Sequence, residues 1–159
     1  MLTSSHPVRR RWDELRAQEG PVDIRLLDEL WGDLETVDAA QVLGSWKGFA
    51  FPTGHPLERQ LTKSRWHGKR FASAHSAQPL ICTDDDGNLF SDLESGRGEA
   101  SLWNVEFRGE VTATMVYDGM PIFDHFKRVD TDTLMGVMNG KPELVLADGQ
   151  HFYFGLERE

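Results

Sequence analysis

The strongest indication of the fold comes from the segment Gly44-Ser45-Trp46-Lys47-Gly48-Phe49-Ala50-Phe51-Pro52. Within it, one set of alternate residues is Ser45, Lys47, Phe49 and Phe51, and a second set of smaller and aromatic residues lies between them. Because successive side chains of a β-strand point to opposite faces, this period of two predicts a strand. Proline lacks the amide hydrogen that a sheet requires, so the strand is expected to end at Pro52.

The residues before Gly44 have a different period. Val8, Trp12 and Leu15 lie at helical spacing, and a second helix is expected after Pro21, with an apolar face formed by Ile24, Leu27, Leu30, Trp31 and Leu34. We therefore expect residues 1–43 to form a helical segment that packs on and caps residues 44–159, within a single structural domain.

After Pro52 the sequence predicts one short helix and a series of short strands. The helix is expected over 57–65, and the strands over 69–74, 79–83, 88–92, 102–108, 111–117, 121–130, 133–138, 144–146 and 150–157. Asp118-Gly119 is typical of a hairpin turn. Regularly spaced short strands joined by hairpins indicate an antiparallel sandwich or barrel, and a barrel of this size holds one small ligand.

Composition excludes several classes of function. The 159 residues include 26 acidic and 17 basic side chains, for a net charge of −9, which disfavours nucleic acids and anionic membranes as partners. The single cysteine, Cys82, allows no internal disulfide. No run of about 18 apolar residues predicts a membrane span, and residues 1–11 do not resemble a secretory signal. The expected location is the cytoplasm.

Gly44-Ser45-Trp46-Lys47-Gly48 is a Gly-x-Trp-x-Gly motif, and the sequence resembles the bacterial family named after it. Members of that family carry a second half of unknown function. The resemblance continues through Thr53-Gly54-His55-Pro56, through Trp66-His67-Gly68-Lys69-Arg70-Phe71, through Met115-Val116-Tyr117-Asp118 and the 121–130 segment, and through Tyr153-Phe154-Gly155-Leu156-Glu157-Arg158. It implies a shared fold more than a known activity.

The chain is also similar to lipocalins and intracellular fatty-acid-binding proteins. Their barrels begin with Gly-x-Trp and end with an arginine that lies over the tryptophan and closes one end, and the resemblance assigns these places to Trp46 and Arg158. Gly44 and Gly48 would then let the backbone approach the indole ring. The expected fold is mainly β, an antiparallel lipocalin-like (calycin-type) β-barrel with N-terminal capping helices.

Candidate ligand-binding residues lie on the 121–130 strand. Asp124, Phe126 and Arg128 share one face of it with Ile122. If this face points inward, Asp124 and Arg128 pair inside the barrel and bind a polar head group. If it points outward, they form a surface ladder with a neighbouring strand.

Four further candidates match the family's pattern. His55 and Lys69 either bind a carboxylate or phosphate at the cavity mouth, or His55 holds a turn while Lys69 lies over Trp66. Trp66 and Tyr117 are either cavity walls or ordinary core.

His151 is the candidate for a cofactor. Nitrobindins are similar barrels that hold haem through a histidine late in the chain, so the resemblance makes His151 a possible haem ligand. The sequence contains no nucleophile elbow, metalloprotease helix, phosphate-binding loop or dinucleotide fingerprint. We therefore expect no catalytic residues, no bound metal and, apart from the haem alternative, no cofactor.

These observations predict non-enzymatic binding or carriage of a small hydrophobic ligand, a fatty acid or a phospholipid, inside a barrel. Two alternatives stay open. One is the haem protein with His151 as ligand. The other is an interaction module with a filled barrel, which binds a partner or forms a homodimer through an apolar patch or through the amphipathic helix at 22–34.

Overall fold

The structure, a computed structural model, describes residues 6–159 and is mainly antiparallel β-sheet. Residues 1–5, part of the segment expected to carry no secretory signal, lie outside the described residues. No helix in the described part of the chain has the length and hydrophobicity to cross a membrane. The elements are α1 (Pro7–Ala17), α2 (Ile24–Asp33), β1 (Glu35–Thr36), a 3₁₀ turn (Ala39–Val42), β2 (Gly44–Ala50), α3 (Pro56–Lys63), β3 (Trp66–Ser73), β4 (Ser76–Thr83), β5 (Leu89–Ser91), α4 (Leu93–Gly96), β6 (Ala100–Phe107), β7 (Glu110–Tyr117), β8 (Ile122–Asp130), β9 (Thr133–Gly140), α5 (Pro142–Val145) and β10 (Tyr153–Arg158).

Eight of the ten described strands form a closed ring. Their order is β8-β7-β6-β4-β3-β2-β10-β9, and the ring closes because β8 and β9 also pair. The narrowest junction lies between β4 and β6, where the register contains the single pair Ala77–Ala100. The short strands β1 and β5 pair with β8 and β4.

One apolar cluster lies on the inside of the ring. It includes Trp46, Phe71, Met115, Phe126 and Leu156, all buried. These side chains come from alternate positions of the strands, as the period of two predicts. Ile122 and Asp124 lie on the same face of β8 as Phe126, so this face of β8 points inward.

The second apolar cluster lies outside the ring, under α1 and α2. It joins Trp12, Leu27 and Trp31 of the helices to the outward-facing Val137 and Tyr153 of the sheet. The expectation that these helices cap the barrel is therefore corrected, since they cover the side of the sheet and not an end of the ring. The outer face of β8 is buried as a result.

Lys127 attaches α2 to this outer face. Its side chain is fully buried, and its ammonium donates hydrogen bonds to the carbonyl oxygen of Trp31 at 2.8 Å and to Glu110 Oε1 at 2.6 Å. The outward residues of β8 are thus as buried as the inward ones, which the sequence pattern alone did not distinguish.

The end of the ring that contains Arg158 is closely packed. The Arg158 guanidinium carbon lies 4.2 Å from the centroid of a Trp46 ring, and Arg158 Nη1 donates to the carbonyl oxygen of Leu43 at 2.7 Å. The indole Nε1 of Trp46 donates to the carbonyl oxygen of Val42 at 2.8 Å. These contacts join β2, β10 and the segment before β2.

The glycines of the Gly-x-Trp-x-Gly motif contact different groups from those expected. Gly44 has a φ of +128°, and an added Cβ would lie 2.8 Å from Arg158 Nη1. An added Cβ at Gly48 would lie 2.2 Å from the ring of Trp66, not beside the ring of Trp46. Gly68 lies against the backbone of Trp46 and not against its ring, since an added Cβ there would lie 1.9 Å from the Trp46 carbonyl oxygen.

The strand predicted over 144–146 is wrong, because this segment includes the end of the helix α5. Pro142 occupies the first turn of α5, where its fixed φ and missing amide hydrogen suit a helix start. The buried Val145 packs in the inner cluster. Leu144 and Val145 of α5 line a cavity at one end of the ring.

Candidate functional site

A cavity of about 400 Å³ lies inside the ring, at the end away from Arg158. Its mouth is formed by α3, α4, α5 and the turn between β7 and β8. Most of the lining side chains are apolar: Leu57, Leu61, Trp66, Leu80, Met120, Ile122, Met138, Leu144, Val145, Leu146, Phe152 and Phe154. The volume falls in the range of roughly 300–1,000 Å³ that is usual for small-molecule sites.

A buried ion pair forms part of this otherwise apolar lining. Lys69 Nζ lies 2.9 Å from Asp124 Oδ2, and the side chains are only 3% and 4% exposed. Lys69 Nζ also donates to the carbonyl oxygen of Pro79 at 3.3 Å. Rings of Trp66, Tyr117 and Phe154 surround the ammonium at 5.3–5.9 Å. Removing one member of such a pair leaves an uncompensated charge out of water.

Tyr117 supplies a third polar group beside this pair. Its hydroxyl makes no hydrogen bond to another described residue. The hydroxyl oxygen is not fully buried, and Tyr117 lines the cavity, so this oxygen is accessible from the cavity. Burial raises the pKa of Tyr117 well above its usual value, and the negative charge of Asp124 raises it further. Tyr117 is therefore a neutral hydroxyl at neutral pH.

Asp124 is also perturbed by its surroundings. Burial raises the pKa of this carboxyl, while the charge and the hydrogen bond of Lys69 oppose the shift. The inner end of the cavity thus holds a cation, an anion and a hydroxyl within one apolar enclosure.

His55 lies at the cavity mouth, where it connects two helices. Its Nδ1 accepts the N–H of Leu57 at 3.1 Å and caps α3, so its Nε2 carries the proton and donates to the Val145 carbonyl oxygen of α5 at 3.0 Å. Its ring packs against Phe152 at 5.4 Å. Both nitrogens are used within the protein, which matches the turn-holding alternative of the sequence analysis.

Five of the seven candidate ligand-binding residues line the cavity: His55, Trp66, Lys69, Tyr117 and Asp124. Phe126 lies deeper in the ring, in the inner cluster, and packs against Phe71 and Phe154. It does not line the cavity itself.

The Asp124–Arg128 pair considered in the sequence analysis does not form. Four residues along a strand span roughly 13 Å, so side chains at these positions cannot meet on one face. Arg128 lies toward the Arg158 end of the ring, next to Glu35 in the β1–β8 register, while Asp124 pairs with Lys69. The partner of Asp124 therefore comes from β3, fifty-five positions earlier in the chain.

His151 lies outside the ring and does not line the cavity. Its Nδ1 donates to the carbonyl oxygen of Met138 at 2.8 Å, and its ring contacts Phe107 edge-on at 5.9 Å. Phe152 and Phe154 line the cavity, and side chains alternate along the chain here, so His151 and Tyr153 both point outward. A haem in this cavity would have to use a ligand other than His151.

A buried histidine next to this group was not singled out from the sequence. His125 stacks on Phe107 at 4.2 Å, its Nδ1 donates to Thr114 Oγ1 at 2.8 Å, and its Nε2 accepts from Asn139 Nδ2 at 3.0 Å. Thr114 Oγ1 donates to the carbonyl oxygen of Thr112, so it is an acceptor toward His125. Burial, with the charges of His151 and Arg108, lowers the pKa of His125 to about 4. His125 is therefore neutral and structural.

Sequence reasoning also missed the parts of the mouth that come from α5 and from Met120. Pro142 was a usable signal for α5, because proline favours the first turn of a helix. The role of the Pro79 carbonyl had no local signal. Within residues 6–159, no group of three or more His, Cys, Asp or Glu side chains is arranged to hold a metal ion.

The protein is a closed antiparallel sheet with an apolar cavity at one end and a buried ion pair inside that cavity. The chain belongs to the GXWXG protein family. The profile of that family matches residues 29–87, and the profile of a domain of unknown function, DUF4334, matches residues 98–158. The first match contains the Gly-x-Trp-x-Gly strand and Lys69, and the second contains Tyr117, Asp124 and Arg158.

A crystal structure of a protein from Thermomonospora curvata is similar over nearly the whole chain. It is 35% identical, with a TM-score of 0.85, and the similarity covers 97% of this chain and 99% of that one. No curated protein matches the sequence. The family relationship therefore supports the fold without supplying an activity.

Proposed function

We propose that this protein is a lipocalin-like barrel that binds, without catalysis, a small molecule with a hydrocarbon body, either a fatty acid or a phospholipid. The observation that carries the proposal is the cavity of about 400 Å³ with its apolar wall and its buried Lys69–Asp124 pair. The hydrocarbon body would occupy the apolar part, and the polar group would face the head of the ligand.

Desolvation of the hydrocarbon supplies the affinity in this proposal. Each buried CH₂ contributes about 0.8 kcal/mol, so eight methylenes contribute about 6 kcal/mol. This amount exceeds the lower estimates, about 4 kcal/mol, of the cost of immobilising a ligand. A polar head held by hydrogen bonds adds orientation more than affinity.

The mouth of the cavity is consistent with a ligand that enters from the α3 and α5 side. His55 joins the start of α3 to α5 through its hydrogen bond to Val145. The side chains of Leu57, Leu61 and Leu144 lie on these helices and line the cavity. A ligand passing between α3 and α5 would contact apolar surface before it reached Lys69.

The other two candidate functions have less support. His151 is not a cavity residue, which removes the proposed haem ligand from the place where haem would bind. The apolar face of α2 is already used, since Leu27, Leu30 and Trp31 are buried against the sheet of the same chain. The homodimer or docking surface would need other residues.

Native mass spectrometry of the freshly purified protein, together with an absorbance scan of the Soret region, tests the proposal. A retained mass of a fatty acid or phospholipid, or uptake of added lipid by protein that is purified bare, is expected. A Soret band would favour haem, and bare protein that takes up no lipid would favour the filled-barrel interaction module.

A blocking variant makes this test specific for the cavity. Leu146→Trp places an indole ring in the cavity lining, while Val111→Trp places the same ring on an exposed strand position that is 59% accessible. We expect Leu146→Trp to weaken lipid uptake about tenfold or more, in line with the loss of several buried methylenes. Val111→Trp should leave uptake unchanged, and equal loss in both variants would contradict binding in the cavity.

A further inference from the structure

We infer that the cavity binds the head group of its ligand in an uncharged form, such as an alcohol, a carbonyl or a protonated carboxylic acid. The inference rests on the proposed function and narrows it. A fatty acid would be held as the neutral acid, and a phosphodiester, which stays charged, would be excluded from the inner end of the cavity.

The charges at the inner end of the cavity already cancel. Lys69 and Asp124 are in contact at 2.9 Å and almost completely buried, so together they present no net charge to a ligand. A carboxylate placed beside them would lose its hydration and would lie close to the like charge of Asp124. An uncharged head group avoids both costs.

The hydrogen-bond donors and acceptors left free at the inner end of the cavity suit an uncharged head group. The Lys69 ammonium has three donor protons, of which one goes to Asp124 and one to the Pro79 carbonyl oxygen. The Tyr117 hydroxyl is unpartnered among the described residues and accessible from the cavity. Tyr117 can donate to a carbonyl or hydroxyl oxygen, while the second oxygen of Asp124 can accept from a hydroxyl or from a protonated acid.

No other lining residue supplies a compensating positive charge. The titratable groups of the lining are Lys69 on β3, Tyr117 on β7, Asp124 on β8 and His55 at the start of α3. The ring of His55 uses one nitrogen as an acceptor from Leu57 and the other as a donor to Val145, which is the neutral tautomer. The polar residues contributed by α3, α4 and the segment after α3 are uncharged: Gln60, Ser64 and Ser95.

Competition between two ligands of equal chain length tests this inference on the wild-type protein. Decan-1-ol and decanoic acid are titrated between about pH 5 and about pH 8, across a range in which a carboxylic acid with a pKa near 4.3 becomes almost fully ionised. We expect the affinity for the alcohol to stay constant and the affinity for the acid to fall about tenfold per pH unit, because only the protonated form binds.

The Asp124→Asn variant tests the role of charge balance. It keeps hydrogen bonding near Lys69 but leaves the ammonium uncompensated, so the acid should bind as the carboxylate. We expect its affinity relative to the alcohol to rise about tenfold at neutral pH, since an opposite charge favours the ionised form. Asp132→Asn removes the same charge at an exposed position near Arg158 and should leave the affinity for both ligands unchanged.

The outcomes separate the inference from the proposed function. If neither ligand binds, the proposed function fails. If decanoic acid binds more tightly than decan-1-ol and equally well at every pH, the ligand is held as an anion and only the inference is overturned. Should Asp124→Asn not fold, Tyr117→Phe serves in its place, with an expected loss of about fivefold in alcohol affinity from one missing hydrogen bond. Unchanged affinity in that variant would also overturn the inference.

Discussion

Gly48 lies directly under the ring of Trp66. A Cβ added at Gly48 would stand only 2.2 Å from Trp66 Cη2, and the Trp66 ring lines the cavity while its Nε1 donates to the Pro79 carbonyl oxygen at 3.2 Å. The second glycine of the family motif therefore supports the cavity wall, whereas the first, Gly44, makes room for Arg158 at the other end of the ring.

Gly48→Ala should displace Trp66 and reshape the cavity. We expect the free energy of unfolding to fall by about 1–3 kcal/mol, as for overpacking of a filled core, and lipid uptake to fall with it. Gly32→Ala is the matched control, because nothing lies within 4 Å of its added Cβ and Gly32 is inside α2. Urea unfolding should show a gain of about 0.5–1 kcal/mol there. Equal effects in the two variants would contradict the contact.

Lys69→Met should leave the buried Asp124 carboxylate without a positively charged partner in the apolar cavity. The expected loss in the free energy of unfolding is about 3–5 kcal/mol at neutral pH. Burial already raises the pKa of Asp124, and loss of Lys69 would raise it further. The native state then keeps a proton that the unfolded state releases near pH 3.9, so stability relative to wild type recovers as the pH is lowered and declines as it rises.

The double variant Lys69→Met with Asp124→Leu is the control for that prediction. It removes both charges and should recover most of the lost stability, with no added pH dependence relative to wild type. A Lys69→Met protein whose unfolding in urea is the same at acidic and neutral pH would show that Asp124 is not the stranded charge.

Arg158→Ala should destabilise the closed end of the ring without affecting the cavity. It removes the contact with Trp46 and the hydrogen bond to Leu43, for an expected loss of about 1–3 kcal/mol. Arg158→Lys, which keeps the charge but not the planar fork, should be intermediate. Thermal unfolding and lipid uptake measured in parallel check this. Arg10→Ala, at an exposed position, is the control.

His125 should make the protein less stable in acid. Its pKa is lowered to about 4 in the native state, mainly by burial, against about 6.5 in an unfolded chain. Between these values the unfolded state binds more protons, so the free energy of unfolding declines as the pH falls, by at most about 3 kcal/mol. Nuclear magnetic resonance of the imidazole proton should show no titration near pH 6.5.

His125→Gln tests the assignment of this acid sensitivity. Glutamine does not titrate, so the variant should lose part of the slope of stability against pH between about 6.5 and about 4. A slope equal to that of the wild type would place the responsible group elsewhere.

Much of the fold follows from local sequence pattern. The change of period at Gly44 predicted the first strand of the ring, β2, and the spacing of Trp12 and Leu15 predicted α1, because residues of one helix or strand face are fixed by a short repeat. The strand prediction for 144–146 was wrong because three apolar residues fit a strand or a buried helix equally well. There Pro142 was the stronger signal.

The candidate site was only half predictable. Residue type and family resemblance indicated Lys69, Trp66, Tyr117 and Asp124, and these side chains do line one cavity. The partner of Asp124 was misassigned. Asp124 and Arg128 lie on the same strand about 13 Å apart, whereas closure of the ring brings Lys69 of β3 into contact with Asp124 of β8.

The local repeats of the sequence indicated the helices before Gly44 and the strands after it, and they made Trp46 and Arg158 candidates to meet. Tertiary structure alone decided which face of each strand points inward, that the Arg158 end is filled while the α3 and α5 end is hollow, and that His151 lies outside. The direction in which each strand face points, and the end of the ring that stays hollow, depend on strand register and ring closure. These are set by contacts between distant segments and not by any local repeat.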